Sequence, residues 1–139
     1  MIFDANLRLQ RWASRDQAVE RARACVSGAL LVRANRAEAE LMTGERDAEK
    51  AARALMQAGA QSVVLTLGSR GAILRGAVDA DEPGADCRVL NTAGAGDALT
   101  GTLLARLALR DFDPSGLAAA LPEAVVAGAR ACERWGAVD

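Results

Sequence analysis

Four consecutive residues at the start of a predicted helix have the composition of a phosphate site. They are Gly94, Ala95, Gly96 and Asp97. Small residues leave the backbone N–H groups of such a turn accessible, and the positive end of the helix adds to their attraction for an anion. A carboxylate directly after the turn can accept the proton of a hydroxyl that attacks a bound phosphate. The same residues could instead form an ordinary tight turn in which Asp97 binds first-turn amides.

Composition excludes several other kinds of site. The chain has no histidine, which rules out Ser-His-Asp and Cys-His catalysis and the usual zinc hydrolase sites. Cys25, Cys87 and Cys132 are far apart and fit neither a disulfide framework nor a zinc site, so we expect reduced thiols in a cytoplasmic protein. The net charge of −1 predicts no nucleic-acid partner. We expect no signal peptide and no membrane partner, since no apolar run is long enough to span a bilayer.

Apolar periodicity predicts an alternation of strands and helices in the first half of the chain. The predicted strands are Met1–Asp4 and Leu30–Arg33. Asp16 is predicted to cap a first helix, and a short helix at Ala37–Met42 is predicted to end at Gly44. A third helix places its apolar residues on one face and ends at Gly59; those residues are Ala48, Ala51, Ala52, Leu55 and Met56.

The second half continues the pattern. Ser62–Leu67 is an apolar run typical of a strand buried on both faces of a parallel sheet. Further strands are predicted at Ala72–Leu74 and Cys87–Leu90, around a polar loop at 79–86. The helix after the glycine turn should bury Leu99, Leu103, Leu104 and Leu107, and a last helix should have Pro122 as its first residue and Gly136 after its end. We therefore predict one α/β segment over residues 1–139, with three layers and a mostly parallel sheet.

Four segments of the chain resemble, in order, those of the ribokinase-like (PfkB-type) carbohydrate kinases. NTAGAGDALTG at 91–101 resembles the C-terminal signature D-T-x-G-A-G-D-x-F-x-G of that family. The earlier segments are FDANLRLQRW at 3–12, NRAEAELMTG at 35–44 and VVLTLGSRGAIL at 63–74. The resemblance covers nearly the whole chain and implies the C-terminal half of a three-layer, Rossmann-like ribokinase fold. The implied activity is ATP-dependent phosphorylation of a sugar hydroxyl. GxxxxGK[ST] and GxGxxG are both absent, so neither a Walker A loop nor a dinucleotide fingerprint is present.

Residue by residue, the resemblance implies roles in phosphoryl transfer for the glycine turn. Asp97 would be the base that deprotonates the sugar hydroxyl, and it would therefore also contact the substrate. Gly94, Ala95 and Gly96 would supply the amides that stabilise charge on the transferring phosphoryl group.

The resemblance also implies a nucleotide and magnesium site. Asn35 and Glu38 match the NxxE segment of the family, which organises Mg²⁺ and the phosphates, with the metal held through water. Thr66, Gly68, Ser69 and Gly71 match the strand and turn that lie near ATP. On residue type alone, a solvated helix position would be favoured for Glu38, and the glycines would indicate only a tight turn.

Asn6 and Arg8 carry a hint about the substrate. Their DxNxR pattern resembles that of 2-keto-3-deoxygluconate kinases and fructokinases, in which this segment faces the sugar. An arginine can hold a carboxylate through two parallel hydrogen bonds, so Arg8 suggests a sugar-acid substrate. The alternative is a surface arginine in an arginine-rich chain.

Three residues depart from the family pattern. Asn91 and Ala93 replace an aspartate and a common threonine in the loop that binds a monovalent cation in many relatives, which puts potassium activation in doubt. Val125 stands where several relatives place an asparagine near the adenine, which weakens any specific contact with the base.

Family members are much longer than this chain, and their N-terminal half carries the lid strands and most of the sugar contacts. We therefore expect little or no kinase activity from residues 1–139 alone. Uncovered sheet edges and apolar helix faces drive pairing, so we also expect a homodimer or association with the missing half. The alternatives are a non-catalytic nucleotide-binding remnant, a partner subunit of an active enzyme, or a remnant that binds no ligand.

Overall fold

The computed structural model describes residues 1–135, and these form two compact units. The first unit comprises residues 1–66 with Arg75–Ala77. The second comprises Leu67–Leu74 with residues 78–135. Between them, the described residues contain five strands and five α-helices.

The first unit is built on three parallel strands. In order across the sheet they are β1 (Ile2–Asp4), β2 (Leu31–Asn35) and β3 (Val63–Thr66), with Ile2 opposite Leu31 and Val32 opposite Val63. The apolar residues of β2 and β3 are fully buried, as expected for parallel strands covered on both faces. Three helices belong to this unit, namely α1 (Arg15–Val26), α2 (Arg36–Thr43) and α3 (Ala48–Gln57).

The second unit combines an antiparallel strand pair with two helices that pack on each other. Strands β4 (Ala72–Arg75) and β5 (Ala80–Glu82) pair with Ala72 opposite Glu82. Helices α4 (Ala95–Ala108) and α5 (Leu117–Ala131) bury a shared apolar core of Leu99, Leu103, Leu107, Leu117 and Leu121. The Arg106 guanidinium donates two hydrogen bonds of 2.6 and 2.8 Å to the Glu123 carboxylate, which joins the two helices and lowers the pKa of Glu123.

The predicted fold class is confirmed: the described residues form an α/β arrangement with mostly parallel strands. The predicted ends of two helices are also confirmed. Gly44 follows α2 with a left-handed φ of 82°, and Gly59 follows α3 with a φ of 111°. Both conformations are ones that glycine adopts without steric cost.

The prediction for the start of α1 was wrong. Ser14, not Asp16, caps this helix, because its Oγ accepts the N–H of Gln17 at 3.1 Å. Asp16 lies in the first turn, where its negative charge still favours the helix.

Four predictions in the second unit were also wrong. Cys87–Leu90 is not a strand, and β5 instead lies inside the predicted loop at 79–86. Pro122 lies inside α5, which begins five residues earlier at Leu117. Leu104 faces outward and is 42% exposed. A further prediction, that Gly136 follows the end of α5, falls outside the described residues and stays a prediction.

Candidate functional site

The glycine turn at Gly94 leads directly into α4. Gly94 is the N-cap of this helix and has a left-handed φ of 82°, and no side chain caps the first turn. Within residues 1–135, the N–H groups of Gly96 and Asp97 donate to no backbone or side-chain acceptor. Uncapped amides at the positive end of a 14-residue helix can bind a phosphate oxygen.

Asp97 lies in the first turn of α4 and is exposed to solvent. A side chain in this position can reach a group bound at the helix start without being part of the core. Gly128 of α5 is buried against the same turn, and a Cβ there would lie 3.1 Å from the Ala95 carbonyl oxygen. The approach of α5 therefore fixes the backbone of the turn while Asp97 stays accessible.

The turn at Gly68–Gly71 is covered by backbone at its Gly71 end. Its Leu67 N–H donates to the Gly71 carbonyl at 2.7 Å, and Gly71 itself has a φ of 91°. A Cβ on Gly71 would lie 2.0 Å from the Glu82 carbonyl oxygen, and a Cβ on Gly84 would lie 2.0 Å from that of Ser69. Gly68 and Ser69 are exposed. The predicted nucleotide turn is therefore a rigid backbone structure with two accessible residues.

Asn35 and Glu38 form a reciprocal cap at the start of α2. The Asn35 Oδ1 accepts the Glu38 N–H at 2.9 Å, and the Glu38 Oε2 accepts the Asn35 N–H at 2.8 Å. The other carboxylate oxygen, Oε1, accepts the N–H of Leu7 at 3.0 Å. Glu38 is only 7% exposed. The Glu38 carboxylate is thus buried and accepts backbone N–H groups, so Glu38 is not a solvated helix residue.

Asn6 and Arg8 flank Leu7 on the segment after β1, and both are exposed. Asn6 has a φ of 31°, which asparagine tolerates better than most residues. The Arg8 Nε donates to the Asn6 Oδ1 at 3.4 Å. Asn6 and Arg8 are thus next to the NxxE segment within the first unit, because the Leu7 N–H between them donates to Glu38.

Sequence reasoning missed Arg33, which lies in the middle of β2. It is 8% exposed, and its guanidinium donates to the Asp4 Oδ1 on β1 at 3.1 Å and to the Thr66 Oγ1 on β3 at 3.0 Å. Its Nε has no hydrogen-bond partner among the described residues. Thr66, predicted near the nucleotide, therefore also serves the packing of three strands. A single charge within an apolar strand was the signal for this arrangement.

The described part of the chain contains neither a ready-made metal cluster nor a membrane span. Residues 1–135 contain no group of three or more His, Cys, Asp or Glu side chains able to hold a metal ion. None of the helices described is both long and apolar enough to cross a bilayer.

Two of the residues that depart from the family pattern have local structural roles. The Asn91 Oδ1 accepts the N–H of Ala93 at 2.9 Å, so this loop is closed by a side-chain hydrogen bond. Val125 is 7% exposed and belongs to the buried face of α5. In both cases the replacement side chain serves the fold.

Comparison with known proteins gives consistent matches. The pfkB family of carbohydrate kinases matches residues 1–139. Aminoimidazole riboside kinase of Salmonella typhimurium is 30% identical over 99% of this chain and 44% of its own length. The structure resembles fructokinase from Vibrio cholerae O395 in its fructose, ADP and calcium form, with a TM-score of 0.88 and 29% identity over 98% of this chain and 45% of that one.

A further solved structure agrees with these. It is aminoimidazole riboside kinase from Salmonella enterica, complexed with aminoimidazole riboside and an ATP analog. The TM-score is 0.87, with 31% identity over 98% of this chain and 46% of that one. The chain therefore spans less than half the length of the relatives it matches.

Proposed function

Because the chain belongs to the pfkB family of carbohydrate kinases, we propose that it supplies the ATP-binding and catalytic part of a sugar kinase. The proposed reaction transfers the γ-phosphoryl group of ATP to a hydroxyl of a sugar or sugar acid. The observation that carries the proposal is the start of α4, where uncapped amides and an exposed carboxylate lie in one helical turn.

Asp97 is the proposed base. As the sugar oxygen attacks the γ-phosphorus, its proton passes to the Asp97 carboxylate, a bond forms between that oxygen and phosphorus, and the bond to the bridging oxygen of ADP breaks. The amides at Gly94, Ala95 and Gly96 are proposed to stabilise the charge on the transferring group. Among the described residues the Gly96 N–H has no acceptor and is free to do so, whereas the Ala95 N–H would have to leave the Thr92 carbonyl, 3.3 Å away. The exposure of Asp97 supports this role, because a buried, fully bonded carboxylate could not accept the proton.

The nucleotide is proposed to contact Gly68 and Ser69 of the turn that follows Thr66 in the chain, while Gly71, buried against the Glu82 backbone, fixes the shape of that turn. The accessibility of Gly68 and Ser69 supports this assignment. Magnesium bound to ATP neutralises charge on the β- and γ-phosphates. Asn35 and Glu38 are proposed to meet it through water, since each of their oxygens already accepts one backbone N–H and keeps a lone pair for one further hydrogen bond.

The acceptor is proposed to lie against Asn6 and Arg8. The exposed Arg8 guanidinium supports a carboxylated sugar, whereas the matched relatives are named for fructose and for aminoimidazole riboside. Candidate acceptors are therefore 2-keto-3-deoxygluconate, fructose, ribose and aminoimidazole riboside.

Association with further chain is also proposed, either with the remaining part of the kinase fold or with a second copy. An open groove of about 510 Å³ lies between α4 and α5, lined mainly by small residues such as Ala98, Gly101 and Ala105. Leu104 is 42% exposed on α4 and Val126 is 37% exposed on α5. These uncovered apolar groups support association. A monomer in sedimentation at high concentration, with no binding of the complementary half, would contradict it.

Calorimetric titration with Mg-ATP tests the nucleotide site of the 139-residue chain directly. We expect weak binding that is lost when Gly68 and Ser69 are both changed to bulky residues. Coupled ADP release with each candidate acceptor tests turnover, and we expect little from the chain alone because sugar positioning and water exclusion need more of the fold. Nucleotide binding without turnover in the completed fold would favour the alternative, a non-catalytic nucleotide-binding subunit.

A further inference from the structure

Glu38 links two segments that lie far apart in the sequence. Its Oε1 accepts the Leu7 N–H at 3.0 Å across a separation of 31 residues, while its Oε2 accepts the Asn35 N–H at 2.8 Å. The residue is 7% exposed. Releasing either donor would leave a buried carboxylate short of partners, so both backbone segments are held firmly.

The hydrogen bond to Leu7 is additional to what helix capping requires. The reciprocal cap at the start of α2 is complete with Asn35 and the Oε2 oxygen of Glu38. A capping glutamate could point its second oxygen to solvent. Here that oxygen is used instead to bind the segment after β1.

Leu7 lies between the two residues proposed to face the sugar. Asn6 adopts an unusual φ of 31°, and the Arg8 Nε reaches back to the Asn6 Oδ1 at 3.4 Å. The Arg11 N–H donates to the Arg8 carbonyl at 2.9 Å, which fixes the far side of the segment. The Leu7 amide is therefore the central anchor of the backbone that carries both side chains.

We infer that Glu38 is a positioning residue for the phosphoryl acceptor. By holding the Leu7 amide, it sets the backbone from which Asn6 and Arg8 reach the sugar, and it does not touch the sugar itself. The inference rests on the proposed function, since it takes Asn6 and Arg8 to face the acceptor. It assigns Glu38 chiefly to recognition of the sugar or sugar acid, whereas the family resemblance suggests magnesium and phosphate.

The first test is amide hydrogen exchange in the 139-residue chain. Glu38→Asp keeps the negative charge in the first turn of α2 but is too short to bond both donors, and Glu38→Gln removes the charge. We expect the Leu7 amide to exchange about tenfold faster or more in both variants. Glu40→Gln is the matched control on the same helix, since Glu40 bonds the exposed Arg46, and it should leave Leu7 unchanged. Unchanged Leu7 exchange in folded Glu38→Asp would overturn the inference.

The second test is nuclear magnetic resonance titration of the same variants, each joined to the remaining half of the kinase fold, with 2-keto-3-deoxygluconate, fructose and Mg-ATP. We expect an acceptor sugar to shift the Arg8 Nε resonance of the completed wild-type fold, and its affinity to fall about tenfold in Glu38→Asp. The affinity for Mg-ATP should stay within about twofold, because the charge near the phosphates is kept.

Two outcomes of the titration would overturn the inference. One is a loss of Mg-ATP affinity in Glu38→Asp as large as the loss for the sugar, which would make Glu38 a magnesium and phosphate residue. The other is a completed wild-type fold in which no sugar perturbs Asn6 or Arg8. Neither outcome decides the kinase assignment, which is judged separately by substitution of Asp97.

Discussion

In the turn proposed to bind the nucleotide, substitution of two glycines is predicted to reduce stability by different amounts. Both Gly68 and Gly71 have positive φ, 65° and 91°, but their surroundings differ. A Cβ on Gly68 would meet nothing within 4 Å. A Cβ on Gly71 would lie 2.0 Å from the Glu82 carbonyl oxygen and 2.5 Å from the Pro83 carbonyl carbon, so the backbone that follows β5 would have to move.

The structure gives each substitution a different cost. Gly68→Ala should destabilise the fold by about 1–2 kcal/mol, the penalty for an L-residue in a left-handed conformation. Gly71→Ala carries a backbone penalty of about 1–3 kcal/mol and adds about 1–3 kcal/mol for overpacking. Its total is therefore about 2–6 kcal/mol. The movement should also loosen the pairing of β4 with β5, because Ala72 lies opposite Glu82.

Urea denaturation followed by circular dichroism measures the difference. With an m value of about 2 kcal/mol/M, the midpoint should fall by about 0.5–1 M in Gly68→Ala and by about 1–3 M in Gly71→Ala. Hydrogen exchange should become faster in β4 and β5 of the second variant only. Equal losses in the two variants, or a smaller loss in Gly71→Ala, would refute the argument from close backbone contact.

Three further predictions concern other parts of the molecule. Arg33→Met should destabilise the fold by about 3 kcal/mol. This is the lower end of the range for a broken buried ion pair, because the Asp4 side chain is 22% exposed. The control Arg46→Gln breaks a pair whose arginine is 86% exposed, and it should cost under about 1 kcal/mol in the same urea series. Burial raises the pKa of the Cys132 thiol above its ordinary 9.0. The stability that the neutral thiol contributes should therefore be present below pH 9 and lost as pH rises through the raised pKa. Cys132→Ser should flatten that part of the plot of unfolding free energy against pH. The side-chain bond that closes the loop at Asn91 leads us to expect equal rates of phosphoryl transfer by the completed enzyme in KCl and NaCl, and clear activation by potassium would contradict this.

The parts of the fold that sequence reasoning predicted well are those with a strong local signal. Buried apolar runs identified β2 and β3, and Gly44 and Gly59 ended their helices as predicted. The glycine turn before α4 was predicted because small residues, a following acid and an apolar helix period all occur together. These signals depend on neighbouring residues alone.

The parts it missed depend on tertiary contacts. The extended segment before the glycine turn is apolar enough for a strand, yet its Leu90 and Asn91 N–H groups donate to the Cys132 carbonyl, at 2.8 and 3.1 Å, near the end of α5. Pro122 is a residue typical of a helix start, but burial of Leu117 and Leu121 extends α5 in front of it. No local pattern reveals such partners.

In the candidate site, too, residues with a local sequence signal could be predicted, whereas their tertiary contacts could not. Asn35 and Glu38 could be selected from the sequence, but the bond from Leu7 to Glu38 joins residues 31 positions apart and could not. Arg33 could be noticed only as a charge in an apolar strand, and its role required the positions of Asp4 and Thr66 on both sides.

Substitution of Asp97 in the completed kinase fold tests the central proposal most directly. The 139-residue chain is supplied with the remaining half, joined to it or added as a second chain, and ADP release and Mg-ATP binding are measured for wild type, Asp97→Asn and the control Asp86→Asn, an exposed carboxylate outside α4. We predict that Asp97→Asn lowers phosphoryl transfer by about 10²–10⁴-fold while Mg-ATP affinity is kept, because the amide preserves size but cannot accept the hydroxyl proton. Asp86→Asn should transfer at the wild-type rate. An unchanged rate in Asp97→Asn would contradict the proposed mechanism.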